Sequence, residues 1–284
     1  MLLLQRGSAD VFYVLIMPVL SVTTIQTHLH WEDKAANLHM LKEKITAIPQ
    51  PTEVVILPEM FSTGFSMYPE PLAEKMDGPT VAWMKAVAAQ KKIILTGSII
   101  IEESGRYFNR LIWMLPDGHY DYDKRHLFAY ASEDERYTAG KKRLIASVKG
   151  WKINLQICYD LRFPAWVRQK NHPREDGAAN LPEYDLIIYV ANWPESRSTA
   201  WKTLLRARAI ENQCYVAGVN RVGTDGNGIY HSGDSMIIDP LGEILYTQYH
   251  NEDVYTTVLH KEKLESVRKQ FPFWKDADRF LIDP

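Results

Sequence analysis

Cysteine is almost absent from this chain. Cys158 and Cys214 are the only two in 284 residues, too few for a disulfide framework. There is no CxxC pair and no Cys/His set at zinc spacing, so nothing points to a structural metal, and a reducing, cytoplasmic setting is the expectation. An excess of either charge is also missing: 33 basic and 35 acidic residues leave a formal net charge of -2. No global field therefore draws the chain to nucleic acid or to an anionic membrane. Apolar runs of membrane-spanning length are lacking too. Met1-Leu2-Leu3-Leu4 and Val11-Phe12-Tyr13-Val14-Leu15-Ile16-Met17 mimic an export signal, but polar residues interrupt them and they are too short for a span. We expect residues 1–16 to be an N-terminal extension with Met17 as the start, because the first strand opens only at Val19. Low-complexity segments, short-period repeats and linkers are absent as well.

What is present is ample apolar content, 46% of residues, enough for a sizeable core. The pattern alternates strands and helices. Val19–Gln26 reads as a strand, and Lys34–Ile48 has helical spacing through Leu38, Leu41 and Ile45. Val54–Leu57 is a largely β-branched run of the kind covered on both faces. A helix is expected over Thr80–Gln90 and a strand over Ile93–Ile101. Pro116-Asp117-Gly118 and Lys149-Gly150 each join two strand-like arms. A short helix over Leu161–Gln169 and a polar surface loop over Asn171–Pro182 come next. Asp185–Val190 is a further buried strand, and a helix capped by Ser198 or Thr199 runs to Asn212. Strands at Tyr215–Val219, Ser235–Ile238, Glu243–Tyr246 and Val254–Leu259 precede a closing helix over Lys261–Gln270. The two comparable halves imply one α/β domain with two sheets over residues 17–284.

Three of the strands end in reactive side chains: Glu59, Lys124 and Cys158. Strand ends that converge are how an α/β fold assembles a site. The three types are chemically complementary. A thiolate is the attacking form of cysteine, a carboxylate can take its proton, and an ammonium can hold a developing oxyanion. Taken singly, each has an ordinary reading: Glu59 as a helix cap or arginine partner, Lys124 as a solvated charge, Cys158 as a small buried hydrophobe. Cys214, at a helix-to-strand junction, reads as inert core.

The motifs resolve this. Leu57-Pro58-Glu59-Met60, Tyr122-Asp123-Lys124-Arg125-His126-Leu127-Phe128 and Cys158-Tyr159-Asp160-Leu161-Arg162-Phe163-Pro164 resemble the nitrilase, or carbon-nitrogen hydrolase, superfamily. Supporting matches are Ala191-Asn192-Trp193-Pro194, Arg206–Asn212, Gly218–Gly223 and Asp239–Glu243. The resemblance covers nearly the whole chain and is strongest to the omega-amidase (2-oxoglutaramate amidase) branch. It implies a four-layer α-β-β-α sandwich and hydrolysis through a thioester acyl-enzyme, with no cofactor. In that reading Glu59 is the base, Cys158 the nucleophile and Lys124 the oxyanion stabiliser, assisted by the backbone N–H of Tyr159. A second glutamate is expected between lysine and cysteine. Glu133 and Glu135 are the candidates, Glu133 favoured by its spacing to Gly140.

Asn192 and Trp193 are candidate pocket walls, and Arg162 either binds a substrate carboxylate or anchors the loop behind Cys158 through an ion pair. The expected substrate is the terminal amide of a small 2-oxo dicarboxylic acid monoamide, 2-oxoglutaramate or 2-oxosuccinamate, with water as co-substrate. The same triad acting on a nitrile, an N-carbamoyl amino acid or another amide is the alternative, and a non-catalytic binding or scaffold role is a third reading. The resemblance also suggests a homodimer or a higher homo-oligomer. The aromatic cluster Phe271-Pro272-Phe273-Trp274 is expected to pack on the core or on a partner.

Overall fold

The computed structural model describes residues 18–169, 181–278 and 280–282. The proposed extension over 1–16, the start at Met17 and most of the surface loop expected over 171–182 lie outside the described residues.

The strands in chain order are β1 (Val19–Gln26), β2 (Val54–Ile56), β3 (Ile94–Glu103), β4 (Arg106–Met114), β5 (His119–Asp123), β6 (Ile145–Val148), β7 (Trp151–Ile157), β8 (Leu186–Ala191), β9 (Tyr215–Asn220), β10 (Val222–Thr224), β11 (Tyr230–Ile238), β12 (Ile244–Tyr249) and β13 (Asp253–His260). The helices are α1 (Lys34–Thr46), α2 (Pro69–Leu72), α3 (Pro79–Lys91), α4 (Glu133–Arg136), α5 (Pro164–Val167), α6 (Ser198–Asn212) and α7 (Lys261–Gln270). One sheet has the order β13-β1-β2-β3-β4-β5 and the other β10-β11-β9-β8-β7-β6, with β12 paired to β11. Each is built around a parallel trio, β1-β2-β3 in one and β9-β8-β7 in the other, extended by antiparallel neighbours.

The period of a strand explains the layering. In β2 and the residue after it, Val54 and Ile56 face the second sheet, whereas Val55 and Leu57 face α1 and α3, packing with Leu41, Ile45, Val81 and Met84. In β4, Leu111 and Trp113 point inward and Ile112 and Met114 outward. A strand covered on both faces has to be apolar on both. The second sheet packs α6 on its other side through Trp201, Leu205 and Ala209. The result is an α-β-β-α sandwich, the architecture that the resemblance implies.

Several local expectations need correction. No continuous helix spans Leu161–Gln169: a 3-10 turn over Cys158–Arg162 is followed by the four-residue α5, because Pro164 can begin a helix but not continue one. Helix α6 has no side-chain cap from Ser198 or Thr199; Arg197 occupies the cap position. The strand expected to open at Ser235 starts at Tyr230, because β10 pairs with its first residues. Phe273 stays 64% exposed, so the C-terminal aromatic cluster is only partly covered by the chain's own core. Among the described residues, no helix is long and apolar enough to cross a membrane.

Candidate active site

Glu59, Lys124 and Cys158 stand just beyond the ends of β2, β5 and β7, and the fold brings them together. Lys124 is fully buried and donates to Glu59 Oε1 at 2.9 Å. It also donates to both oxygens of Glu133, at 3.0 and 2.8 Å. Glu59 and Glu133 are themselves fully buried. Buried charge persists only when paired and hydrogen-bonded, and the remaining acceptor positions are filled accordingly. Asn109 Nδ2 donates to Glu59 Oε1 at 2.8 Å and to Glu133 Oε1 at 3.2 Å. The Phe128 amide donates to Glu133 Oε2 at 2.7 Å, and the Asn192 amide to Glu59 Oε2 at 2.8 Å.

Of the two candidate second glutamates, Glu133 is therefore the one in contact with Lys124. Glu135 is exposed and lines the mouth of the cavity. The backbone of Lys124 is fixed as tightly as its side chain: its N–H donates to Asn109 O at 3.0 Å, and its carbonyl accepts from Gly140 N at 2.9 Å. Gly140 has to be glycine, because any Cβ there would collide with the Asp123 carbonyl.

Cys158 adopts a left-handed backbone, φ 41°, which is costly for a residue with a Cβ and common where a fold holds a side chain for chemistry. Asp160 holds the turn. It accepts from the Ile157 amide at 3.1 Å, the Tyr122 hydroxyl at 2.8 Å and the His126 amide at 2.9 Å, and lies 2.8 Å from His126 Nδ1. The cysteine loop is thereby tied to the segment that carries Lys124. From the other side, Arg208 donates to Leu161 O at 2.6 Å and pairs with Glu211 at 3.1 Å.

The electrostatics follow from burial. Burial first, then the negative charge of Glu59 with which it shares a hydrogen bond, pushes the Cys158 thiol well above its ordinary range, while Lys124 partly opposes the shift. Both effects favour the neutral thiol, and the Glu59 carboxylate lies beside it. Burial works against the Lys124 ammonium, yet Glu133 and Glu59 outweigh it and hold the group charged. Burial, and secondarily the charge of Glu59, raises Glu133 despite the pull of Lys124.

A cavity of about 640 Å³ opens above Cys158 and Lys124. Tyr159, Asn192, Trp193 and Arg162 all line it. The ion pair considered for Arg162 does not form among the described residues. Its guanidinium instead lies 5.0 Å from the Trp193 ring centre, and Arg208 does the anchoring. Residue-level reading missed Asn109, Asp160 and Arg197. Asn109 left one signal, an amide inside the otherwise apolar and cationic run Phe108-Asn109-Arg110-Leu111.

The site thus sets a thiol on a constrained strand-end turn beside a buried carboxylate and an ammonium bridged by two glutamates. The chain belongs to the carbon-nitrogen hydrolase family, whose model matches residues 21–269. It is 43% identical over 269 residues to the omega-amidase YafV of Escherichia coli K12, covering 94% of this chain and 100% of that one. It is 28% identical over 265 residues to the 2-oxoglutaramate amidase of Bacillus subtilis, covering 92% and 98%. Among solved structures it resembles XC1258 of Xanthomonas campestris, a CN-hydrolase superfamily protein with an arsenic adduct in its active site. The TM-score is 0.90 and the identity 43%, covering 94% of this chain and 100% of that one.

Proposed function

We propose that this chain, a cysteine-dependent amidase of the carbon-nitrogen hydrolase family, hydrolyses the terminal amide of a small 2-oxo dicarboxylic acid monoamide. The substrate is 2-oxoglutaramate or its shorter homologue 2-oxosuccinamate, and the products are the acid and ammonia. Cys158 Sγ attacks the amide carbon while Glu59 takes the thiol proton. The negative oxygen of the tetrahedral intermediate is held by Lys124 and the Tyr159 N–H. Glu59 then passes its proton to the departing nitrogen, the C–N bond breaks, and a thioester remains on Cys158. A water that yields its proton to Glu59 attacks the thioester carbon; the acid departs and the proton returns to sulfur. Glu133 keeps Lys124 charged and fixed, and Glu135 has no part in the chemistry. The scheme needs neither metal nor organic cofactor.

The observation that carries this reading is the contact of Lys124 Nζ with Glu59 at 2.9 Å and Glu133 at 2.8 Å directly below the thiol. The names of the Escherichia coli and Bacillus subtilis relatives support the choice of substrate. Asn192 Nδ2 donates to Glu59 O at 2.6 Å, which ties this wall of the cavity to the segment that carries Glu59. A homodimer or larger homo-oligomer in a reducing cytoplasm belongs to the same proposal, because Cys158 has to remain a free thiol.

The test is ammonia release from 2-oxoglutaramate, 2-oxosuccinamate, glutamine, asparagine, an N-carbamoyl amino acid and an aliphatic nitrile. Preferential turnover of the two 2-oxo amides supports the proposal. Activity confined to the nitrile or the N-carbamoyl compound overturns the substrate and keeps the triad.

A further inference from the structure

Arg197 was invisible as a functional residue in the sequence, where it sits in the polar turn Glu195-Ser196-Arg197-Ser198. In the fold it lines the same cavity as Cys158. Its guanidinium carbon lies 5.2 Å from the centre of the Phe128 ring, and among the described residues no carboxylate pairs with it. Its backbone is held: Trp193 Nε1 donates to Arg197 O at 2.8 Å, and the Trp193 amide donates to Asn220 Oδ1 at 2.8 Å.

Phe128 is equally constrained, and by the catalytic apparatus. Its amide is one of the donors to Glu133, and its ring meets the Tyr159 ring at 5.0 Å. Arg197 is thus fixed relative to the reacting centre through a single aromatic ring, with its fork of donors unused. A planar guanidinium stacked on an aromatic face presents its edge to a carboxylate in bidentate fashion. Two carboxylates, Glu135 and Asp225, and the cations Lys124, Arg136, Arg162 and Arg197 line the cavity; Lys124 is taken up by Glu59 and Glu133, and Arg136 is exposed.

We infer that Arg197, positioned by Phe128, binds the carboxylate at the far end of the substrate and makes the enzyme selective for amides that carry one. The inference builds on the amidase reading above. It does not require the 2-oxo group, so the two are tested separately. Arg162, stacked on Trp193, faces the same cavity and is the control position.

The experiment compares kcat/KM for succinamate and for butyramide, near-isosteric amides with and without a carboxylate, alongside 2-oxoglutaramate, in the native enzyme and in Arg197→Met and Arg197→Lys. The native enzyme favours succinamate. Arg197→Met lowers the succinamate-to-butyramide ratio by about 10- to 100-fold, the range for losing a hydrogen bond to a charged group, mostly through KM. Arg197→Lys, which keeps the charge without the fork, gives an intermediate ratio. Retained selectivity for succinamate without turnover of 2-oxoglutaramate sinks the 2-oxo assignment and leaves the arginine in place. A native enzyme indifferent to the carboxylate, an unchanged ratio in both variants, or a ratio that falls only in Arg162→Met overturns the inference.

Discussion

Lys124 donates to both carboxylate oxygens of Glu133, at 3.0 and 2.8 Å, in a site where Lys124, Glu133 and Glu59 are all fully buried. This pair fixes the position of Nζ, and it distinguishes the two glutamates that lie two positions apart in the sequence.

Glu133→Gln is expected to keep the shape and lose the charge. We expect kcat to fall by about 10²- to 10³-fold, comparable to the loss of one oxyanion donor, with a smaller change in KM. Glu135→Gln, at the exposed rim, should change either constant by no more than a few fold. Steady-state kinetics on both variants with one amide checks this, and equal effects would contradict it.

The thiol gives a prediction with opposite signs. The charge of Glu59 raises the Cys158 thiol and that of Lys124 lowers it, so Glu59→Gln should bring the thiol down and Lys124→Met should send it further up. Alkylation by iodoacetamide across pH 7 to 10, a window chosen to bracket the ordinary thiol range near 8.5, should run faster than native in the first variant and slower in the second. Glu59→Gln nevertheless loses about 10²- to 10⁴-fold in kcat as its base disappears.

Gly140→Ala should act on Lys124 without touching it. The added Cβ displaces the Asp123 carbonyl, and with it the Arg110–Asp123 pair at 2.6 Å. Overpacking of this kind costs about 1 to 3 kcal/mol. A fall in thermal midpoint together with a drop in kcat of at least about tenfold is the expected result, and a silent variant would contradict the close approach.

Asp160→Asn removes an acceptor from a carboxylate that faces the Ile157 and His126 amides and the Tyr122 hydroxyl. One of those donors then meets an NH₂ group, with a loss of about 1 to 3 kcal/mol in chemical denaturation.

The native state should also weaken in alkali. Burial raises Cys158, Tyr122, Tyr184 and Tyr189 well above their ordinary values. Above roughly pH 8.5 for the thiol and 10 for the phenols the unfolded chain releases protons that the folded chain keeps. The folded state then binds more protons, so stability falls as pH rises through that range and is unaffected below it. A thermal midpoint that stays flat from neutral pH to pH 11 would contradict this.

Much of the framework was legible. The strands preceding Glu59, Lys124 and Cys158 are uninterrupted apolar or hairpin arms, and the closing helix runs over Lys261–Gln270 as read. What stayed hidden depended on contacts between distant segments. Strand β10 lies next to the glycine-rich run Asp225-Gly226-Asn227-Gly228, which reads as a turn; only pairing with β11 makes it a strand. Glu133 and Glu135 are two positions apart in α4 and so point to nearly opposite sides of the helix, but nothing local says which side is buried. Arg197 looks like a solvated charge until Phe128 is placed under it. The helical cap assigned to Ser198 or Thr199 failed because the chain enters α6 through a 3-10 turn, Glu195–Arg197, already wound toward the helix.

The most direct test of the account is ammonia release from 2-oxoglutaramate by the native enzyme and by Cys158→Ala in parallel, with the thermal midpoints of both recorded. The account predicts turnover by the native enzyme and none above background by the variant, at an unchanged midpoint. Substantial ammonia release by a folded Cys158→Ala enzyme would contradict it, because no other nucleophile in the described cavity stands against Glu59 and Lys124.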